Sequence, residues 1–350
     1  NYREIMRRKQ DLSTRLDRDS DTNSIKNVIT RAQGDGSISN VHWYTLVNGF
    51  SGKAPFQTII NLNDNSSIKI IDLYPIVEHA EEVANEVPED VVETPSNILV
   101  AEAFYGPEVI KAPEAWEKGY TGKGIRVGII DSDVYAEHPA LAGKMETIQS
   151  GPDAGELAFF NGYGISTPTY NANSHGTHVT GIVLGGEAKE DESNIEKYKY
   201  IGVAPSSTYV FALSSLAPQS LDWMANPDND IATDDYPIVV NNSWINSLTT
   251  WLTYWIDSLE DIGISVVFSA GNSGGAGPGS IKWLHTYPPL LLVGNSNEDG
   301  EINPGSSKGP SVYLGEEYIK PDISAPGTNI LSSVPKGGYI NYKPNEGLEN

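Results

Sequence analysis

Cysteine is missing from all 350 residues. Disulfides, thiolate metal sites and a cysteine nucleophile are thereby excluded. Basic residues are scarce. Against 46 Asp and Glu stand 23 Lys and Arg, a formal net charge of −23 and a pI near 4.5. Such a surface repels phosphate backbones and anionic bilayers, so nucleic acid is excluded as a partner, while cationic partners and calcium are tolerated. Long apolar runs are also missing. The best, Pro288–Val293, has six residues, against roughly 18 for a membrane-spanning helix, so no membrane span is expected. The first residue is Asn1, and no signal peptide is present, which is compatible with one already removed.

What is present falls into four stretches. Residues 1–37 are polar and locally basic, with Arg3, Arg7, Arg8, Lys9, Arg15 and Arg18, and read as a solvated helix or arm. Residues 38–80 read as a small α+β module, with β-rich runs at His42–Val47 and Thr58–Leu62 and an Asn48-Gly49 turn signal between them. From Glu78 to Glu93 there are seven acids and no Lys or Arg, with Pro88 among them. That composition marks 81–108 as an acidic linker. From 109 to 350, short apolar runs recur at Ile125–Ile130, Tyr209–Ala212, Ile238–Val240, Ile264–Phe268 and Leu290–Val293. Helix-like stretches, Thr177–Leu184 and Leu248–Leu259, lie between them. Strand alternating with helix predicts an α/β fold, a doubly wound, mostly parallel sheet with helices on both faces. Function in such folds gathers at the carboxyl ends of the strands.

Three segments there carry chemistry. Ile125–Ile130 ends in the carboxylate of Asp131, which reads either as a strand-end turn residue or as a buried acid orienting an imidazole. Gly122 and Gly124 precede this strand, whereas a dinucleotide loop must follow it, so that reading fails on order. In Asn173-Ser-His175-Gly-Thr-His178-Val-Thr-Gly181 a histidine opens a helix lined by small residues. A helix N-terminus disfavours the imidazolium and keeps the ring basic. His175 and His178 lack the intervening Glu and third ligand of a zinc site, so His178 reads as structural. In Val266-Val-Phe-Ser269-Ala-Gly-Asn272-Ser-Gly274 a buried strand runs into small residues and then a carboxamide. That amide is either a turn residue or a donor to a developing oxyanion.

Taken together, Ile130-Asp131-Ser132, His175–Gly181, Val240-Asn-Asn-Ser243-Trp244, Ser269-Ala-Gly-Asn272-Ser-Gly274 and Ala325-Pro326-Gly327 resemble the subtilisin-like serine proteases, the subtilases. The pieces stand in the family's order across about 109–350. The resemblance implies a serine endopeptidase acting on protein or peptide substrates. Asp131 would fix the tautomer of His175, His175 would be general base and then general acid, and Asn272 would donate to the oxyanion. Ser243, Trp244, Ala270 and Gly271 would flank the substrate on the acyl side. Residues 38–80, through Tyr44-Thr-Leu-Val-Asn-Gly49-Phe50-Ser, resemble the family's inhibitory propeptide and imply a zymogen. No cofactor is required for the chemistry. Structural calcium is compatible with the family, but no loop assigns its ligands. A secreted or cell-surface bacterial protein is implied.

The chain also departs from the pattern. The family's Gly-Thr-Ser-Met-Ala nucleophile segment is not found, and the sequence closes on Gly347-Leu-Glu-Asn350. Ser306, Ser307, Ser332 and Ser333 have no motif around them. The expectation is a split or nicked protease whose C-terminal fragment carries the serine. Asp133 stands where the family has Gly, placing a second acid near the triad, and Ile245 stands where Gly follows Ser-Trp, narrowing the cleft. The alternative these departures leave open is a catalytically inactive relative that binds peptides or proteins.

Overall fold

The computed structural model describes residues 20–47, 49–63, 68, 105–170, 175–186, 200–230, 232–244, 252–330 and 332–335. Two compact units are distinguished, and the short stretch Thr45–Val47 belongs to the larger.

The smaller unit holds helix α1 (Ser20–Gly34), strands β1 (Ser39–Trp43) and β2 (Phe50–Lys53), and helix α2 (Phe56–Asn63). The strands pair antiparallel, with Trp43 opposite Phe50. Ile25 and Ile29, one helical turn apart on α1, bury with Ile38 under Trp43, Phe50 and Leu62. From Ser20 onward this stretch is therefore an amphipathic helix with a buried face, not a solvated arm. The β-rich run Thr58–Leu62 also differs from expectation, because it is helical. The Pro55 carbonyl accepts the N–H groups of Thr58 and Ile59 at 2.9 and 3.2 Å, closing a first turn. The half-buried residues Thr58, Ile59 and Leu62 then follow helical spacing, so packing overrides β-branched composition.

In the larger unit follow α3 (Tyr105–Val109), α4 (Ala112–Glu117), β3 (Arg126–Asp131), β4 (Phe159–Phe160), α5 (His175–Leu184), β5 (Thr208–Leu213), α6 (Ala217–Trp223), β6 (Val239–Asn242), α7 (Thr253–Ile262), β7 (Ser265–Ser269), β8 (Leu291–Ser296), β9 (Ser311–Tyr313), β10 (Glu316–Tyr318) and β11 (Ile323–Pro326). Seven strands form one sheet in the order β11-β8-β7-β6-β3-β5-β4. Every pairing in it is parallel. In β3 five successive residues, Val127–Asp131, are buried, which requires cover on both faces. Helix α5 packs on β3, α6 on β3 and β5, and α7 on β7. Ile129, Leu141, Phe159, Leu184, Tyr209 and Phe211 form the centre of the core. Parallel pairing sends the carboxyl ends of β3, β6 and β7 to one edge, and with them Asp131, Ser243 and Ala270.

Candidate active site

Asp131 closes β3 and His175 opens α5. Between Nδ1 of His175 and Oδ1 of Asp131 the distance is 2.7 Å, across 44 positions of sequence. The cause of the approach is local. A Cβ at Gly176 would lie 2.0 Å from the Asp133 carbonyl oxygen and 3.1 Å from Asp131 Cβ. Only a glycine lets the helix start press so closely on the strand end. Thr177 reinforces the contact by accepting the Tyr135 N–H through its hydroxyl at 2.8 Å.

Asp131 is only 2% exposed, and its Oδ1 also accepts the Ser132 N–H at 2.7 Å. A carboxylate can only accept, so the proton of the neutral imidazole resides on Nδ1 and Nε2 keeps its lone pair. The His175 side chain is 48% exposed, so the basic nitrogen is reachable. The hydrogen bond to Asp131 raises its pKa above the ordinary imidazole value, burial works against this, and the charges of Asp131 and Asp133 add to the rise. Asp133 is itself buried, and the Ser132 hydroxyl lies 3.2 Å from an oxygen of each flanking acid. Ser132 stands in the Ile130-Asp131-Ser132 piece of the resemblance, which assigns it no role of its own.

Asn272 is exposed just beyond β7. Ala270 is buried, its N–H donating to Val293 O at 2.8 Å, and Gly271 adopts φ 92, a left-handed turn conformation that favours glycine. Ser243 accepts from Asn241 Nδ2 at 3.1 Å, and the Trp244 ring packs edge-on against Phe268 at 5.0 Å. Ile245 lies outside the described residues, as does Asn173. The structure thus joins Asp131 to His175 directly and places Ser243 and Ala270 along the same edge of the sheet.

The four loop serines are tied elsewhere. Ser306 and Ser307 hydroxyls accept the N–H groups of Asn295 and Ser273, while Ser332 and Ser333 donate to the carbonyls of His178 and Thr177. Among the described residues no serine hydroxyl bonds Nε2 of His175. Nor do three or more His, Cys, Asp or Glu converge to hold a metal among the described residues.

Sequence reasoning missed His285, which is buried 5.5 Å from the Phe268 ring. Burial pushes it down to about 4, against the raising effect of the Ser269 and Ala270 backbone. Burial likewise brings His178 down to about 4, although the Ile330 carbonyl opposes it. Both rings are neutral in the folded chain at neutral pH. Below their ordinary value of 6.5 the unfolded chain binds protons that the folded chain refuses, so stability falls as pH drops from 6.5 toward 4. The loss approaches ~3 kcal/mol per ring once both are fully charged. Denaturant unfolding across pH 4–7 should show this slope, and His285→Gln should flatten it. An unchanged slope in that variant would exclude His285 as a contributor.

Comparison with known proteins places the chain in a family. The profile of the Subtilase family matches residues 122–347, more than half of the chain. Bacillopeptidase F of Bacillus subtilis (strain 168) is 28% identical over 355 aligned positions, covering 93% of this chain and 23% of that protein. Subtilisin E of the same organism is 27% identical over 284, covering 80% of this chain and 64% of that protein. Subtilisin of Bacillus pumilus is 29% identical over 241, covering 68% and 77%. The chain therefore spans about a quarter of the first relative and under two thirds of the second.

Proposed function

The chain belongs to the subtilase family, and from that premise we propose that it supplies the acid and base of a secreted serine endopeptidase made as a zymogen. The observation that carries this reading is the 2.7 Å bond between Asp131 and His175. In the proposed reaction His175 Nε2 takes the proton of a serine hydroxyl as the serine oxygen attacks the scissile carbonyl. The imidazolium so formed is stabilised by the Asp131 carboxylate. The Asn272 carboxamide donates to the tetrahedral oxyanion, in keeping with its exposed position beyond β7. His175 then returns the proton to the leaving amine, and water releases the acyl group by the same route. Ser243, Trp244, Ile245, Ala270 and Gly271 flank the acyl-side residue of the substrate.

The nucleophile is proposed to be a serine outside Asn1–Asn350, on a C-terminal segment that completes the site. Two facts support this. No serine among the 350 residues has the Gly-Thr-Ser-Met-Ala context, and the four candidate loop serines are engaged in other hydrogen bonds. The zymogen reading is supported within the larger unit, where the Asp222 carboxylate accepts the N–H groups of Thr45 and Leu46 at 2.7 to 2.8 Å. Thr45 and Leu46, which precede the acidic stretch in sequence, thus bond to α6 of the hydrolase fold within one unit.

Fluorophosphonate labelling of the full-length gene product, followed by peptide mapping, tests the enzyme reading. A single labelled serine in a peptide beyond residue 350 is expected. Failure to label any serine after removal of the N-terminal module would leave the inactive, peptide-binding alternative standing instead.

A further inference from the structure

At the carboxyl ends of β6 and β7 lie buried polar atoms that play no part in the proposed hydrolysis. Phe268, itself buried, is their common neighbour. Across the strands it pairs with Asn242, which is fully buried. The Trp244 ring stands edge-on to Phe268 at 5.0 Å between centroids. The His285 ring, on the short 3₁₀ turn Trp283–Thr286, meets it edge-on at 5.5 Å. Three atoms around Phe268 are sealed from water and take no hydrogen bond among the described residues: Asn242 Oδ1, Trp244 Nε1 and His285 Nε2. The Asn242 amide is fixed by its other end, since Nδ2 donates to the Val240 and Val267 carbonyls, each at 3.3 Å.

Buried polar atoms without partners are rare, because each loses its hydration with nothing in return. Three around one ring call for a group with complementary atoms. His285 also reaches the segment that leads to Asn272. The Ser269 and Ala270 backbone lies within hydrogen-bonding reach of its ring and acts to raise its pKa, as acceptors do. The proton of the neutral ring is therefore on Nδ1, and Nε2 keeps a lone pair. The three residues thus offer one donor, the indole N–H, and two acceptors, the imidazole nitrogen and the Asn242 oxygen. Their complement has one acceptor and two donors. A carboxamide carries that set, on two separate atoms. A carboxylate has no donor, an ammonium or guanidinium has no acceptor, and a hydroxyl has a single donor.

We propose that His285, Trp244 and Asn242 select glutamine as the substrate residue on the acyl side of the scissile bond, with its carboxamide seated against the Phe268 ring. The inference rests on the hydrolase reading and names the substrate class of that same site. The side chain enters between Ser243-Trp244 and Ala270-Gly271. Glutamine, longer than asparagine by one methylene, has the reach to pass these backbones to an imidazole that is 2% exposed. Its hydrogen bonds are made in the ground state and the transition state alike, so the selection acts through KM.

The test is hydrolysis, by the full-length gene product, of blocked peptides that differ only in that residue: glutamine, glutamate, methionine or leucine. Methionine keeps the length of glutamine without its hydrogen bonds. kcat/KM for the glutamine peptide should exceed that for methionine and leucine by about 10², and that for glutamate by more. His285→Phe keeps an aromatic ring against Phe268 and removes the lone pair. It should lower the glutamine-to-methionine ratio at least tenfold, chiefly by raising KM for the glutamine peptide. Trp244→Phe removes only the indole N–H, should lower the ratio about tenfold, and carries the test should the first variant misfold. A purely structural role would slow both peptides equally and leave the ratio unmoved, which overturns the assignment. Equal kcat/KM for glutamine and methionine in the wild type overturns it as well, the result expected if ordered water satisfies the three atoms. Cleavage without the preference overturns this assignment alone, whereas no cleavage of any peptide overturns the hydrolase reading and this assignment with it.

Discussion

His175→Ala in the protein carrying its serine should lower kcat for peptide hydrolysis by about 10⁶, a scale set by subtilisin, a member of the same family. The argument is geometric. In the proposed mechanism Nε2 of His175, with its tautomer fixed by Asp131, takes the serine proton, so its removal leaves no base for that step. The fold should survive the change. Asp131 Oδ1 keeps the Ser132 N–H at 2.7 Å and the Ser132 hydroxyl at 3.2 Å, and Gly176 still seats the helix. Circular dichroism and Tm close to wild type, with fluorophosphonate reactivity lost, are the expected results. A variant within tenfold of wild-type kcat would remove His175 from the mechanism, and the Asp131–His175 pair would then be structural.

Asp131→Asn should cost about 10⁴ in kcat with KM little changed. The substitution keeps shape and removes charge. The asparagine amide would donate to Nδ1, the ring would adopt the opposite tautomer, and Nε2 would carry a hydrogen where a lone pair is needed. The hydrogen bond that chiefly raises the His175 pKa would also go, so the imidazole should titrate at lower pH than in the wild type. Proton NMR of the ring reads that shift directly. Full activity with an unmoved titration would mean that Asp131 does not orient the base. Loss of activity accompanied by loss of fold would show instead that the buried carboxylate is structural, and the retained Ser132 contacts argue against that outcome.

The parallel sheet was legible because its strands are buried on both faces and therefore appear as continuous apolar runs. Ile125–Ile130 and Tyr209–Ala212 fall within a residue of β3 and β5 at each end. The proposed site was read where its chemistry is local in sequence, as in His175 with Gly176, or Ala270 through Asn272. Helix α2 was not, because Thr58, Ile59 and Ile60 have strand-like composition and only the Pro55 carbonyl and the packing of Leu62 decide for a helix. The buried face of α1 was hidden by its polar neighbours, since Ile25 and Ile29 are sparse in a charged stretch. Contacts such as Asp222 with Leu46, or Asp228 with Ser150, join residues far apart in the chain and leave no periodicity to read. Zero cysteine and a net charge of −23 ruled out whole classes of function but said nothing of where the acids gather.

The strand that ends in Asp131 imposes a timetable on synthesis. Its residue Val127 pairs with Tyr209 on one side and with Val239 on the other. At ribosomal rates the second partner emerges on the order of ten seconds after the first strand. Until Tyr209 emerges the apolar segment has no neighbour, and until Val239 emerges one of its edges stays open, with non-local pairing slow to form. Kinetic competition between pairing and self-association is therefore written into the order of the strands, and expression at reduced temperature or with a holding chaperone should raise the soluble fraction.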